Sequence, residues 1–399
     1  MLQVVSAFGY SVRLIVLVVV LALVIGLALA VLFWLTVGLS VYRSVQDTRQ
    51  ERVRDDLQSR LLDGVFSEDP EWDSWVQTLS GVERDVLEDL LDEYLRELDG
   101  ENVARLQELG DTLGIPDRSK QRLGASGEYK RLYALTWLAL LGRPEKIHEA
   151  DFTPETPRER ASVARLRYET DDLDSPAEGV SVMLNGATSQ FSIFGQDTLY
   201  RIATDDPAAL FREAQEQYQS WSQPLLVQVL SVCQHIGTNV TTEDLSWLVG
   251  ALEHDVPAVR AAAARALGNV GWRQDIRSEP FLTRLVQDPS PEVRGATYEM
   301  LARWGDQQAV ETLSAALVDE EDDRARLVGM DALVTRTDSA PADHPAEFDA
   351  TWQWSREHAE FDDTVHRFDD RSGESSDSQS ASGFLFDGVV HEDGDQKAS

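Results

Sequence analysis

The second half of the chain repeats one pattern of hydrophobic, small and polar residues. A proline, a valine, an arginine and a leucine occur in two successive segments, at Pro257, Val259, Arg260 and Leu267 and again at Pro291, Val293, Arg294 and Leu301. Glycines stand 34 residues apart at Gly237, Gly271 and Gly305. A fixed period of about 20–50 residues is typical of stacked supersecondary units. We therefore expect a repeat architecture here.

Each repeat contains two stretches of apolar residues at helical spacing. These stretches fall in pairs, at residues 245–252 and 259–267, 282–286 and 293–301, and 310–317 and 325–333. A helix pair of this kind buries one face against the neighbouring pair, so that the stack itself is the core. The pattern predicts an α-solenoid over residues 238–337.

The regions on either side also show helical spacing, with less regularity. Residues 70–237 alternate apolar helical stretches with short Pro, Gly and Asp punctuation, which predicts diverged helical repeats. The run from Val180 to Leu184 can form a strand or a short helix, and its helical neighbours favour the helix. A capping helix is predicted within residues 338–370. The low-complexity acidic residues 371–399 are expected to be disordered.

The N-terminal region differs because residues 14–39 contain no charged side chain. About 20 apolar residues span a bilayer core. We therefore predict a single transmembrane helix within residues 1–40, which contacts the lipid bilayer through residues 14–39. Apolar residues then recur every four positions, which predicts an amphipathic juxtamembrane helix at residues 41–66.

The basic residues around this span predict its orientation. Arg13 stands alone before it, whereas Arg43, Arg49, Arg52 and Arg54 follow it. Cytoplasmic flanks carry the excess of Lys and Arg. We therefore expect a single-pass protein of the cell membrane, with the bulk of the chain in the cytoplasm.

The composition is strongly acidic, with 70 Asp and Glu against 36 Lys and Arg and a formal net charge of −34. Acid-rich, lysine-poor chains are typical of halophiles that accumulate salt, whose hydrated carboxylates keep protein surfaces soluble. A dedicated acidic surface for a partner is the alternative, but the acid is spread along the whole chain. Nucleic-acid binding requires a basic face, and none is evident, so we expect no nucleic-acid partner.

The second repeat carries the residues of a known pattern. The series D-P-x-P-x-V-R-x-A is present at Asp288, Pro289, Pro291, Val293, Arg294 and Ala296. Here the chain resembles HEAT repeats, particularly the short type of the phycobilin lyases. The resemblance covers residues 245–333, is weaker over residues 72–237, and implies an all-α solenoid fold.

In that family an acid and an arginine six residues apart form a ladder of hydrogen bonds between repeats. The resemblance therefore implies ladder roles for two such pairs, Asp288 with Arg294 and Glu320 with Arg326. Arg260 is the equivalent arginine of the preceding repeat, where Asp255 lies only five residues before it. These arginines could instead form a basic stripe that binds a ligand. Their equivalent positions in successive repeats favour the ladder.

Motifs of catalysis and cofactor binding are missing from the sequence. It contains no GxxxxGK, GxGxxG, GxSxG or HExxH motif, and Cys233 is its only cysteine, which excludes intrachain disulfides. We therefore predict no catalytic residue, no cofactor and no metal site, and we expect that the chain is not an enzyme. Trp247, Trp272 and Trp304 lie near helix ends, where they could line an interaction surface or serve in the core or as caps.

These features favour a membrane-tethered scaffold that mediates protein–protein interaction, because a stack of helix pairs offers a long surface to a partner. The resemblance suggests an accessory subunit of a membrane or envelope-associated complex. The protein partner is unknown, and a membrane protein such as a glycosyltransferase is one expectation. The alternatives are a lyase-like enzyme related to the phycobilin lyases and a ligand-binding sensor.

Overall fold

The fold is described by a computed structural model of the chain. It describes residues 23, 26, 32–36, 53–67, 70–98, 100–236, 245–271, 279–337 and 348–359. Every regular element in these residues is a helix, which confirms the predicted all-α class. No helix among them is both long enough and apolar enough to span a bilayer. Most of the predicted transmembrane helix and the whole predicted acidic tail lie outside the described residues.

The described residues form two compact units, divided between Leu113 and Gly114. The first unit contains these described helices: α1 (residues 53–65), α2 (Trp72–Thr78), α3 (Gly81–Glu97) and α4 (Glu101–Thr112). The division falls inside the region predicted as one diverged repeat array, residues 70–237. Gly114 has a positive φ of 71°, a conformation that glycine adopts without steric cost, and α5 begins directly after it.

Helix α1 is an integral part of the first unit. Leu57, Leu61 and Val65 are buried, and Gln58 Nε2 donates a hydrogen bond of 2.7 Å to Tyr94 Oη in α3. Residues 53–65 of the predicted amphipathic helix at residues 41–66 are helical, and protein covers their apolar face.

The second unit is a series of helix pairs followed by one more helix. Its described helices are α5 (Ile115–Leu123), α6 (Glu128–Leu141), α7 (Glu145–Glu149), α8 (Pro157–Glu169), α9 (Pro176–Leu184), α10 (Ile193–Asp205), α11 (Pro207–Gln217), α12 (Gln223–His235), α13 (Ser246–Ala251), α14 (Pro257–Val270), α15 (Glu279–Val286), α16 (Pro291–Trp304), α17 (Gln307–Val318), α18 (Asp323–Val334) and α19 (residues 348–359). The even-numbered helices from α6 to α18 pack side by side in chain order. Helices α6, α10, α14, α16 and α18 also pack against the odd-numbered helix that precedes them. This is the arrangement of an α-solenoid.

Helix α9 decides between the two predictions for residues 180–184. Ser175 caps its first turn by accepting the N–H of Glu178, and Pro176 occupies the first helical position, where its missing N–H costs no hydrogen bond. Val180, Met183 and Leu184 are fully buried at helical spacing. The prediction of a short helix is confirmed.

Small residues set the spacing between the second helices of the pairs. Five alanines of α14 are buried: Ala261, Ala262, Ala263, Ala264 and Ala266. A Cβ added at Gly268 would lie only 3.0 Å from Cα of Met300 in α16, so the two backbones approach as closely as glycine permits. At the end of the stack, Phe348 and Trp352 of α19 are buried in the same core, at the place where a capping helix is predicted.

Candidate functional site

The predicted ladder acids lie in the turns between the two helices of a pair, and the ladder arginines lie in the first turn of the second helix. Arg260 Nε and Nη2 each donate a hydrogen bond of 2.8 Å to the carboxylate of Asp288. Arg294 donates in the same bidentate way to Glu320, at 2.8 and 2.7 Å. Each arginine therefore binds the acid of the following repeat, and Arg260 does not pair with the carboxylate of Asp255.

The spacing of six residues has a separate physical cause. Nη1 of Arg294 donates 2.8 Å to the carbonyl of Asp288, six residues earlier in its own repeat, and Nη1 of Arg260 makes the same bond to His254. The carboxylate of Asp288 also accepts the backbone N–H of Ser290 at 2.9 Å. One guanidinium therefore fixes its own turn and the next turn at once.

The regular ladder is limited at both ends. In the first repeat His254 takes the place of the acid, and its Nδ1 accepts the N–H of Val256 at 3.0 Å. Leu226 stands 34 residues before Arg260, so the preceding repeat has no arginine to donate. At the other end, Arg326 donates from Nε and Nη2 to the carbonyl of Glu320, and no described acid of a later repeat receives it.

Glu320 is the most strongly held acid of the ladder. Its side chain is 1% exposed, and it also accepts the Tyr298 hydroxyl at 2.7 Å. Burial by itself raises the pKa of Glu320, but the hydrogen bonds from Arg294, Tyr298 and the Asp322 N–H outweigh burial and lower the pKa to about 2. Burial and the bond to Glu320 raise the pKa of Tyr298. Arg260 and Arg294 therefore use most of their hydrogen-bond donors in structural pairs. This arrangement disfavours the alternative in which the arginines form a basic stripe that binds a ligand.

An open groove of about 580 Å³ lies on the surface between α14, α16 and α18. We call it the second-helix groove; its lining includes Arg265, Glu292, Gly295, Arg324, Ala325 and Val328. Gly295 occupies the place that Ala261 holds one repeat earlier, so the floor lacks a side chain there. On the same helices Arg265 Nε donates 3.0 Å to Glu299. The groove combines an apolar floor with charges of both signs.

The sequence did not single out these groove residues. Their signal is present in the repeat, because Arg265 and Glu299 are 34 residues apart and therefore stand at equivalent positions of adjacent helices. Equivalent positions with opposite charge predict a contact between neighbouring repeats.

The tryptophans predicted either to line an interaction surface or to serve in the core or as caps have different environments. Trp247 is fully buried and packs edge to face against Phe211, with ring centroids 5.8 Å apart. It is a core residue, because its apolar ring fills the space between α11 and α13. Trp304 is half-buried, and its Nε1 donates 3.2 Å to the carbonyl of Leu267 in α14. Trp272 lies outside the described residues.

Two further observations bear on chemistry. In the described part of the chain, no three His, Cys, Asp or Glu side chains are grouped so that they could hold a metal ion. Cys233 is fully buried, and burial raises the pKa of its thiol, so the reactive thiolate is disfavoured.

The geometry defines an α-solenoid whose repeats are joined by an arginine ladder. Comparison with known protein families places residues 245–334 in the family of HEAT repeats. This match confirms the predicted resemblance to HEAT repeats over this segment. No curated protein matches the chain.

Proposed function

We propose that this protein is a membrane-tethered scaffold that uses its HEAT-repeat stack to hold another protein. The observation that carries the proposal is the second-helix groove. It is open, it crosses three consecutive repeats, and charged side chains such as Glu292 and Arg324 flank its apolar floor. A surface of this kind fits a partner protein better than a reaction centre, because polar rims around an apolar centre are typical of protein interfaces.

The tether rests on the sequence of residues 14–39, which is long and apolar enough to cross a bilayer. In this proposal the excess of arginine after that segment holds the helical units in the cytoplasm. The partner is then a membrane protein or a complex assembled on one, such as a glycosyltransferase, and the chain is its accessory subunit.

Site-specific photo-crosslinking tests the scaffold. Arg324→benzoylphenylalanine places the crosslinker in the groove, and Gln308→benzoylphenylalanine places it on an exposed site of α17 as a matched control. We expect the first variant to crosslink a defined membrane protein in native cells and the second to yield none. Equal crosslinking from both positions, or none from Arg324, would contradict the proposed interface.

The tether has an independent test. Cys233 is the only cysteine and is buried, so Ser382→Cys introduces one accessible thiol into the tail. We expect the protein to remain in the membrane fraction after a high-salt wash. A membrane-impermeant maleimide should label Cys-substituted protein only after the cells are lysed. Labelling in intact cells would contradict the predicted orientation. Release of the protein by the salt wash would contradict the predicted membrane tether.

A further inference from the structure

One arginine of the second unit, Arg160, occupies the position in its helix that the ladder arginines occupy in theirs, but it binds no acid of the next helix pair. The ladder arginines are the fourth residues of α14, α16 and α18, and Arg131 and Arg160 are the fourth residues of α6 and α8. Arg131 makes hydrogen bonds like those of the ladder, but its acid lies in the first turn of α8 and not in the turn before that helix. Its Nη1 donates 3.1 Å to the carbonyl of Ala125, six residues earlier, and its Nε donates 2.7 Å to Glu159 of the next pair.

Arg160 departs from this pattern. Its hydrogen bonds run from Nη1 to the carbonyls of Val182 and Asn185, at 3.2 and 2.6 Å. No carboxylate in the described part of the chain lies within ion-pair distance of its guanidinium. In a chain with 70 acidic and 36 basic residues, Arg160 thus differs from Arg131, Arg260 and Arg294, each of which binds a carboxylate.

The cause is a glycine. Asp288 and Glu320 stand two residues after the last residue of α15 and α17, and the same position after α9 is Gly186. A Cβ built on Gly186 would lie 3.8 Å from Nη2 of Arg160. The position that corresponds to the ladder acid is therefore a glycine, and it lies next to the guanidinium of Arg160.

An open pocket of about 440 Å³ occupies this region. We call it the α8–α9 pocket; Arg160, Phe152, Val163, Ser181, Val182 and Asn185 are among its lining residues. The other guanidinium there, Arg167, is already paired with Glu178 at 2.8 Å. Arg160 thus supplies the one described lining cation without an acid, beside apolar side chains and a hydroxyl.

We propose that the α8–α9 pocket binds the Asp or Glu side chain of a protein partner, whose carboxylate takes the place of the missing ladder acid. Nε and Nη2 of Arg160 donate to the two oxygens, as the same atoms of Arg294 do to Glu320. An apolar residue next to the acid packs on Phe152 and Val182. The inference rests on the proposed scaffold function and names a second contact for its partner.

The electrostatics agree with this assignment. Their paired carboxylates raise the pKa of Arg131, Arg260 and Arg294. Burial lowers the pKa of Arg160, so its charge is partly removed from water, and its described partners are carbonyls and no carboxylate. A bound carboxylate would offset the cost of burying the Arg160 charge, because a bidentate arginine–carboxylate pair is among the strongest hydrogen-bonded contacts in proteins.

Direct binding of a defined probe tests the pocket. The probes are N-acetyl-Phe-Asp-amide and its neutral counterpart N-acetyl-Phe-Asn-amide, measured by saturation-transfer NMR against the full chain in detergent. We expect the Asp peptide to bind at least tenfold more tightly than the Asn peptide. Equal binding of both peptides, or no binding of either at millimolar concentration, would overturn the proposal.

Four variants, two at Gly186 and two at arginines, locate the binding. Gly186→Asp supplies the missing acid in the chain itself and should abolish Asp-peptide binding, whereas Gly186→Asn has a similar size and backbone cost and should retain it. Arg160→Gln should also abolish binding, and Arg158→Gln, an exposed change two residues away, should not. Retained binding in Gly186→Asp would contradict the site. Because the probe is a synthetic peptide, this result is independent of whether the groove crosslinks a partner.

Discussion

The regular and irregular parts of the second unit share one packing scheme but differ in their spacing along the sequence. The second helices α14 and α16 begin 34 residues apart, at Pro257 and Pro291. The earlier second helices begin at Glu128, Pro157, Ile193 and Gln223, which are 29, 36 and 30 residues apart. The helices stack in the same order in both parts. Variable turns therefore change the period without changing the architecture.

The same two parts also differ in how completely the ladder is built. In the regular part Arg260 and Arg294 each bind the acid of the next repeat. In the irregular part Arg131 binds an acid and Arg160 binds none among the described residues. Helices α10 and α12 have Gln196 and Leu226 at the fourth position. The comparison indicates that apolar packing is sufficient to stack the helix pairs and that the ladder adds stability to the stack. The predictions below test that division of roles.

The largest effect is expected for Glu320→Ala. This change leaves Arg294 without its carboxylate and removes the acceptor of the Tyr298 hydroxyl. Breaking a buried ion pair by removing one partner costs about 3–5 kcal/mol. Urea denaturation followed by circular dichroism measures the loss of unfolding free energy. The control is Glu253→Ala, whose pair with Arg284 is exposed and should change stability by less than about 0.5 kcal/mol; similar losses in both variants would contradict a special role for the ladder.

Acid should weaken the regular part through the same residue. The pKa of Glu320 is about 2 in the folded chain and has an ordinary value of 4.5. Glu320 therefore contributes stability above pH 4.5, and this contribution is lost as the pH falls from 4.5 towards 2. The shift corresponds to on the order of 3 kcal/mol. The denaturation midpoints at pH 5 and pH 3 should differ less in Glu320→Gln than in the wild type. An equal difference in both proteins would show that Glu320 does not cause the loss of stability in acid.

An additional ladder pair can be built into the irregular part. Leu226→Arg places an arginine at the fourth position of α12, and His254→Asp supplies the acid of the following repeat. We expect Leu226→Arg alone to destabilise the protein, since Leu226 is buried, and the second change to recover about 1–2 kcal/mol. A double-mutant cycle measures this coupling energy. A coupling near zero would show that α12 and α14 are not in ladder register.

The smallest effect is expected at the opposite ends of the second helices. Trp304 Nε1 donates to the Leu267 carbonyl, and Asn269 Nδ2 donates 3.1 Å to the Cys233 carbonyl one pair earlier. Trp304→Phe removes one hydrogen bond and keeps most of the ring, so we expect a loss of about 1 kcal/mol. Hydrogen exchange at the end of α14 should rise with it. Unchanged stability and exchange would mean that packing alone fixes these ends.

The sequence predicts the parts of this molecule whose spacing is constant. The repeats at residues 245–333 were predictable because their turns have nearly equal length, so Arg260 and Arg294 stand at visibly equivalent positions. Which acid binds which arginine was not predictable from the spacing alone. The spacing of six residues reflects the bond from an arginine to a backbone carbonyl of its own repeat, whereas the carboxylate that binds the arginine comes from the next repeat. The burial of Trp247 depends on Phe211 in a preceding helix, which no local pattern shows.

The vacancy at Arg160 is hidden from the sequence for a related reason. Gly186 can be recognised as a missing acid only when α8 is seen to be equivalent to α14, and the irregular period conceals that equivalence. Similarly, Leu57 and Leu61 show that α1 is amphipathic, but not that protein covers its apolar face.

The direction of the ladder has a consequence for how such a chain can grow. The repeat of Asp288 and Arg294 carries an acid that binds the repeat before it and an arginine that binds the repeat after it. A tandem copy of a gene segment that encodes such a repeat adds one acid and one arginine, so it leaves no unmatched charge inside the array. Loss is different, because a change of one codon removes a single member and leaves the other without its partner. Duplication therefore preserves the ladder, whereas point mutation opens sites in it.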